Sequence, residues 1–83
     1  MLTEDRKTVS VERVGQTQWI TFRRSEQMNA MSLQMLDEMA ETLAQAMADD
    51  EVRAVALTGS GRAFCAGADL KEVAEAELKP GEP

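Results

Sequence analysis

Residues 57–70 carry the sequence LTGSGRAFCAGADL, in which an apolar segment runs into a glycine-rich loop. Segment 53–58, which leads into the loop, predicts a strand, and Asp69 at the far end predicts the start of a helix. Because the first turn of a helix leaves its backbone N–H groups without partners, such a connection directs several N–H groups towards one point. The stretch therefore predicts a turn that can hold a negatively charged oxygen.

Other interpretations of the same loop are weaker or less specific. A dinucleotide-binding fingerprint needs Gly or Ala where Phe64 stands, and a phosphate-binding loop needs a Gly-Lys-Ser or Gly-Lys-Thr ending that the sequence lacks. An ordinary strand-to-helix connection, capped by Asp69 and binding nothing, is the commoner case. Spacing alone leaves this connection and the oxyanion-binding turn as alternatives.

Two alternating segments near the N-terminus predict a β-hairpin. Segments 8–14 and 17–23 each place apolar residues on one face, with Gly15-Gln16 between them as a tight turn of the glycine-first type. Alternation places Val9 and Val11 on one face of the first segment, and Ile20 and Phe22 on one face of the second, with Trp19 and Thr21 on the other. The hairpin forms the first part of a predicted α/β unit.

An amphipathic helix is predicted from Ser32, whose side chain can cap it, to about Ala48. Its apolar face is predicted from residues at three- and four-residue spacing, namely Leu36, Met39, Ala40, Leu43, Ala46 and Met47. Segment 54–57 is apolar without alternation, which predicts a strand buried on both faces. Strand, helix and strand together predict a parallel crossover unit.

A second, shorter helix is predicted from Leu70 to about Glu77. Asp69 would cap this helix while Glu72, three residues later, returns its carboxylate to the cap. Two prolines and a glycine predict that residues 79–83 form a flexible tail. Residues 1–78 are therefore predicted to form one incomplete domain.

Composition excludes several classes of function. A net charge of −6 without a basic patch argues against nucleic acid and anionic membrane surfaces as partners. The chain has no histidine and a single cysteine, Cys65, so a structural zinc site and a histidine-dependent catalytic triad are not expected within it. Cys65 has apolar neighbours and is expected to be a small core residue. The absence of a disulfide pair and of a signal-like N-terminus predicts a cytoplasmic protein.

The whole pattern resembles the enoyl-CoA hydratase/isomerase family, also called the crotonase family. The resemblance rests on ITFRR at 20–24, NAMS at 29–32, RAVALTG at 53–59 and AGAD at 66–69. Two positions depart from it. The family commonly has Asn-Arg-Pro where this chain has Arg23-Arg24-Ser25, and it often has a basic residue where this chain has Met28. Because of these two departures, the resemblance does not identify the substrate.

The resemblance assigns a role to the backbone of the Ala-Gly-Ala-Asp turn. It implies that the N–H of Ala68 donates one of two hydrogen bonds to a thioester oxygen. The residues it implies along the path of coenzyme A are Met28, Ala30, Ala66, Gly67, Ala68, Asp69 and Leu70. In the family the second donor, a glycine N–H, and the acid and base glutamates come from later segments, which this chain does not contain. The 83-residue chain alone is therefore expected to be inactive.

The resemblance also implies an architecture and a reaction class. The fold would be the N-terminal part of a crotonase-like spiral of ββα units, which assembles into trimers or hexamers when full length. The substrate would be an acyl-CoA thioester, hydrated or isomerised as a 2-enoyl-CoA, with coenzyme A carried by the substrate as the only cofactor. Two other classes stay open: a non-catalytic remnant or partner subunit that completes its fold against another chain, and a small α/β domain without a role for coenzyme A.

Overall fold

The computed structural model describes residues 3–77, in which four strands form one mixed sheet in the order β1-β2-β3-β4. Helix α1 packs against β2 and β3. The elements are β1 (Thr3–Asp5), β2 (Val9–Val14), β3 (Thr17–Phe22), a single 3₁₀ turn (Ser25–Gln27), α1 (Leu33–Ala48), β4 (Ala54–Gly59) and α2 (Leu70–Glu77). The predicted tail at 79–83 lies outside the described residues.

The predicted hairpin is confirmed. Strands β2 and β3 pair antiparallel from Val9 opposite Phe22 to Val14 opposite Thr17, which leaves a two-residue turn. Gly15, the first residue of that turn, has a positive φ of 59°, and Gln16, the second, does not have a positive φ. This is the combination that a glycine-first turn requires. Strand β1, which pairs antiparallel with β2, was not predicted, because its residues are polar and show no alternation.

The core lies between one face of the sheet and α1. Its buried residues are Val9, Val11, Ile20, Phe22 and Met35. The four strand residues are those that alternation places on one face of each strand. Partly buried side chains at the edge of this cluster are Met31, Met39, Leu43 and Cys65. Cys65 is thus half-buried at the edge of the core rather than a fully buried residue.

Helix α1 has the predicted cap and length, and Met39, Leu43 and Ala46 of its predicted apolar face are buried or partly buried. The Ser32 side chain accepts the N–H of Met35 at 3.1 Å, as a capping serine does. The prediction that Leu36 and Met47 face the core was wrong, because these side chains are 40% and 87% exposed while Thr42 is fully buried. The apolar residues of α1 cover two flanks of the helix, and the sheet covers only one of them.

Strand β4 confirms the predicted parallel crossover, because it pairs parallel with β3, with Ile20 opposite Leu57. The prediction that this strand is buried on both faces was wrong. Val55 and Leu57 are 41% and 43% exposed. Within residues 3–77, β4 is an edge strand with β3 as its single neighbour, and α1 packs mainly against β2 and β3 rather than over β4.

Carboxylates of α1 join the helix to the sheet. Oε1 of Glu38 accepts both the N–H and the hydroxyl of Thr8, each at 2.8 Å. Burial alone would raise the pKa of Glu38, but these hydrogen bonds leave it below its usual value. Asp49, at the end of α1, accepts the N–H of Glu51 and pairs with Arg13, and these contacts lower its pKa.

In the part of the chain that the structure describes, neither helix has the length and hydrophobicity that a membrane-spanning helix needs.

Candidate functional site

The Ala-Gly-Ala-Asp turn pairs, like a short parallel strand, with the segment before α1. The N–H of Met31 donates to the carbonyl of Gly67 at 2.7 Å, and the N–H of Asp69 donates to the carbonyl of Met31 at 2.9 Å. Met31 and Ala68 form an isolated parallel bridge. Met31 therefore uses both its backbone groups to hold the residues on either side of Ala68.

This pairing leaves the N–H of Ala68 unpaired. In extended backbone, successive N–H groups point in opposite directions, so Ala68 points away from Met31 while Asp69 points towards it. Within residues 3–77, the Ala68 N–H has no hydrogen-bond acceptor, and Ala68 is exposed. The N–H of Leu70, in the first turn of α2, likewise has no acceptor in the described part of the chain. Two free donors thus lie at the positive end of a helix.

Asp69 caps α2 as predicted. Its Oδ1 accepts the N–H of Lys71 at 3.0 Å and that of Glu72 at 3.3 Å. The prediction that Glu72 returns its carboxylate to the cap was wrong. Its Oε1 accepts the N–H of Leu33, the first residue of α1, at 2.8 Å. The cap N–H that Glu72 would have bonded is already paired with Met31, so Glu72 instead satisfies a free donor of the neighbouring helix.

The second oxygen of Asp69 binds Arg24. Nη2 of Arg24 donates to Oδ2 of Asp69 at 3.1 Å, and Nη1 donates to the carbonyl of Ala30. The two charged side chains are only 17% and 14% exposed. The hydrogen bond from Arg24, helped by the capped N–H groups of α2, lowers the pKa of Asp69 below its usual value despite partial burial. Asp69 is therefore an anion that joins two segments of the turn.

Asn29 is fully buried and joins the loop before α1 to the loop after β4. Its Nδ2 donates to the carbonyls of Ser60 at 2.9 Å and Ala63 at 2.8 Å, while its Oδ1 accepts the N–H of Arg24 at 2.8 Å. Its φ of 58° lies in the left-handed region, which asparagine tolerates better than most residues. Sequence reasoning used Asn29 only as part of a resemblance and missed this role.

Gly59 permits the close approach on which the Asn29 contacts depend. A Cβ at this position would lie 2.4 Å from the carbonyl oxygen of Phe64, 2.5 Å from that of Ala63 and 2.8 Å from Nδ2 of Asn29. No side chain fits there, so a glycine is required at the end of β4.

The structure brings the predicted coenzyme A residues together in one region. The N–H of Ala66 donates to the carbonyl of Met28 at 3.0 Å, and Arg24 holds Ala30 to Asp69. Met28 has a φ of 53° and a side chain that is 48% exposed. The exposed members of the set are Met28, Ala66, Gly67, Ala68 and Leu70, while Ala30 and Asp69 are half-buried.

Neighbouring side chains add little chemistry of their own. The thiol of Cys65 accepts the N–H of Gly67 at 3.4 Å, which supports the turn from its other side. Gly67 itself has a φ of 104°, a conformation that favours glycine. No group of three or more metal-ligating side chains lies together in the described part of the chain. What the site offers is backbone N–H groups.

Comparison with known proteins gives a consistent result. The family model for enoyl-CoA hydratase/isomerase matches residues 13–82. The chain is 36% identical over 69 residues to a probable enoyl-CoA hydratase, echA8, of Mycobacterium bovis, which covers 83% of this chain and 27% of that protein. It is 43% identical over 53 residues to the 1,2-epoxyphenylacetyl-CoA isomerase of Escherichia coli, covering 64% of this chain and 20% of that protein.

A solved structure agrees with the sequence matches. The crystal structure of the enoyl-CoA hydratase EchA8_6 from Mycobacterium marinum superposes with a TM-score of 0.82 and 34% identity, covering 93% of this chain and 36% of that one. The chain thus spans about a quarter of the length of the curated relatives described here. The superposed structure shares the fold of this chain over the matched length, and most of the length of all three proteins lies outside the match.

Proposed function

The chain belongs to the enoyl-CoA hydratase/isomerase family, and from that premise we propose that it contributes half of an oxyanion hole for an acyl-CoA thioester. The observation that carries the proposal is that Ala68 is an exposed residue whose N–H has no acceptor in residues 3–77. An exposed N–H without a protein acceptor binds water, and a ligand oxygen can take the place of that water. The reaction is hydration or isomerisation of a 2-enoyl-CoA.

The chemistry that the turn supplies is electrostatic. When a nucleophile adds to the enoyl chain, or a proton leaves it, negative charge develops on the thioester oxygen. The Ala68 N–H meets that charge, and the N-terminus of α2 adds its positive end. A donor held in place beforehand stabilises the transition state by about 3 kcal/mol. The N–H of Ala68 needs no reorientation during the reaction, because Met31 already holds the residues on either side of Ala68 in place.

The remaining groups come from beyond the chain in this proposal. Family resemblance assigns the second donor to a later glycine and the acid and base to later glutamates. One donor without a base leaves most of the barrier in place, so the 83-residue chain alone is inactive. The proposal extends to homo-oligomers and a cytoplasmic location, which rest on the resemblance and on the sequence. Coenzyme A enters as part of the substrate.

The experiment compares two substitutions at Ala68 in the intact protein that contains this chain. Ala68→Pro removes the N–H, and Ala68→Ser keeps it with a side chain of similar size. With crotonyl-CoA as substrate, Ala68→Pro is expected to lower kcat by about 10²- to 10³-fold, the loss seen when one oxyanion donor is removed. Ala68→Ser is expected to stay close to the parent enzyme. Equal turnover by folded Ala68→Pro protein would refute the proposal.

A second candidate is a non-catalytic subunit that completes its fold against another polypeptide. The specific observation in its favour is the edge strand β4, whose Val55 and Leu57 are 41% and 43% exposed. Edges and apolar faces of this kind seek partners. Intact mass and co-purification distinguish the two candidates. A native mass of 9.1 kDa with a stoichiometric second polypeptide would favour the subunit, whereas a mass several-fold larger would favour the enzyme.

A further inference from the structure

Arg24 reaches from the loop before α1 to both segments that shape the candidate oxyanion hole. One nitrogen of its guanidinium donates to the carbonyl of Ala30, and another donates to Oδ2 of Asp69 at 3.1 Å. The backbone N–H of Arg24 is itself held by Oδ1 of Asn29 at 2.8 Å. The arginine is therefore fixed at its main chain and at both arms of its side chain.

The two carboxylate oxygens of Asp69 accept hydrogen bonds from different groups. Oδ1 accepts two N–H groups in the first turn of α2, while Oδ2 is left for Arg24. Asp69 directly follows Ala68, and its own N–H is bonded to Met31. A rotation of the Asp69 side chain would break its hydrogen bonds to the first turn of α2, and so remove a support of the backbone that directly follows the Ala68 N–H.

We infer that Arg24 is a positioning residue, which acts together with the Met31 pairing to hold the direction of the Ala68 N–H, by joining Ala30 to Asp69. The inference rests on the proposed function, because it concerns the donor of that same site. Arg24 touches no substrate atom in this scheme. It acts through Asp69, whose carboxylate it holds in one orientation.

Arginine has the chemistry that this position needs, and lysine does not. A planar guanidinium donates along two fixed directions, so that one side chain spans a carbonyl and a carboxylate with a defined angle between them. A lysine ammonium keeps the charge but lacks the fork. Glu72 also holds α2 to α1, through the N–H of Leu33 at 2.8 Å. Loss of Arg24 therefore loosens the turn without releasing the helix.

The experiment uses the intact protein with four variants. Arg24→Gln and Arg24→Lys test the arginine, and Asp69→Asn removes its anionic partner while keeping a good helix cap. Arg23→Gln is the matched control, because Arg23 is the adjacent arginine, is 46% exposed and pairs only loosely with Asp5 at 3.6 Å. Steady-state kinetics with crotonyl-CoA give kcat and KM, and amide NMR spectra report the Ala68 N–H.

The expected result is a split between the two kinetic constants. Arg24→Gln and Asp69→Asn each lower kcat by about 10- to 100-fold with little change in KM, because a misdirected donor is lost mainly in the transition state. Arg24→Lys falls in between, and Arg23→Gln stays within about 2-fold of the parent. The double variant Arg24→Gln/Asp69→Asn is no slower than either single variant, because both remove the same link.

Two outcomes overturn the inference. One is folded Arg24→Gln protein with the kcat of Arg23→Gln, and the other is a raised KM with unchanged kcat, which would place Arg24 in substrate binding. If Arg24→Gln does not fold, Asp69→Asn decides by the same criteria. Binding of unreactive acetyl-CoA separates this inference from the proposed function. If acetyl-CoA leaves the Ala68 amide resonance of the parent protein unmoved, the proposed function fails; if the resonance moves and kcat does not depend on Arg24, only the positioning role fails.

Discussion

Replacing Asn29 by alanine is expected to destabilise the protein severely without touching its hydrophobic core. The side chain of Asn29 is fully buried and makes three hydrogen bonds, one to the N–H of Arg24 and one each to the carbonyls of Ser60 and Ala63. Alanine removes all three and leaves their partners without a protein acceptor or donor. It also places a residue that disfavours the left-handed region at a φ of 58°.

The size of the effect follows from these contacts. Each hydrogen bond contributes about 1 kcal/mol net, so that three lost bonds cost roughly 3 kcal/mol. The left-handed backbone adds roughly 1 kcal/mol, since asparagine is eased there by local hydrogen bonds that alanine lacks. The sum is about 4 kcal/mol, against a total stability of roughly 4–12 kcal/mol for a domain of this length. Asn29→Ala should therefore remove much of the folding free energy.

Urea unfolding tests this expectation, with the fluorescence of Trp19, the single tryptophan of the chain, as the signal. The matched control is Gln27→Ala, which removes an exposed amide side chain from the same loop. The control is expected to shift the unfolding free energy by less than about 0.5 kcal/mol. If Asn29→Ala lies within about 1 kcal/mol of Gln27→Ala, the hydrogen-bonded role assigned to Asn29 is wrong.

Two further perturbations test other parts of the fold. The pKa values of three carboxylates are lowered in the folded protein, namely those of Glu38, Asp49 and Asp69. Each carboxylate therefore stabilises the fold fully at pH values above its unfolded pKa, which is 4.5 for Glu38 and 3.8 for the aspartates. This stabilisation is lost as the pH falls through the folded pKa. The urea midpoint should be nearly flat from neutral pH to about pH 5 and then fall, and a midpoint that rises on acidification would contradict this sign. Gly59→Ala should destabilise by at least about 1–3 kcal/mol, since its Cβ would lie 2.4 Å from the carbonyl oxygen of Phe64, and an unchanged urea midpoint would show that the close approach at β4 is not as described.

Local features of the fold followed from local sequence. The alternation around Gly15-Gln16 predicted the hairpin and the residues that share a face of each strand, because the period of side chains in a strand is fixed at two. Ser32 and Asp69 marked the starts of both helices, because a capping side chain needs only the N–H groups that follow it. The parallel pairing of β4 with β3 followed from the strand-helix-strand order.

Features that depend on distant parts of the chain did not follow from sequence. Burial of β4 was predicted from its apolar residues, but burial requires neighbours that the described residues do not supply. Glu72 had the spacing of a capping box, yet Leu33, from a helix 39 positions earlier, presented the free donor. The two carbonyls that Asn29 binds, those of Ser60 and Ala63, lie 31 and 34 positions away in the sequence. Neither the tolerance of asparagine for left-handed backbone nor the glycine at position 59 indicates that these carbonyls are its partners.

The candidate site shows the same division. Sequence placed the turn before α2 and, through resemblance, pointed to Ala68. The pairing with Met31 that leaves the Ala68 N–H free is a contact between segments 37 positions apart, which no local pattern specifies. The same holds for Arg24, to which the sequence assigned no contact and which entered only through the family pattern. The positions of Ala68 and Arg24 depend on how the loop before α1 packs against the loop after β4.

The most direct test of the central claim is to follow the Ala68 amide resonance by NMR while acetyl-CoA is added, with free coenzyme A as the control. Both ligands carry the same nucleotide and pantetheine, but only acetyl-CoA has a thioester carbonyl to accept the hydrogen bond. Acetyl-CoA is expected to move the Ala68 amide proton to lower field, and free coenzyme A is not. An Ala68 resonance that stays in place, or moves equally with both ligands, would contradict the claim.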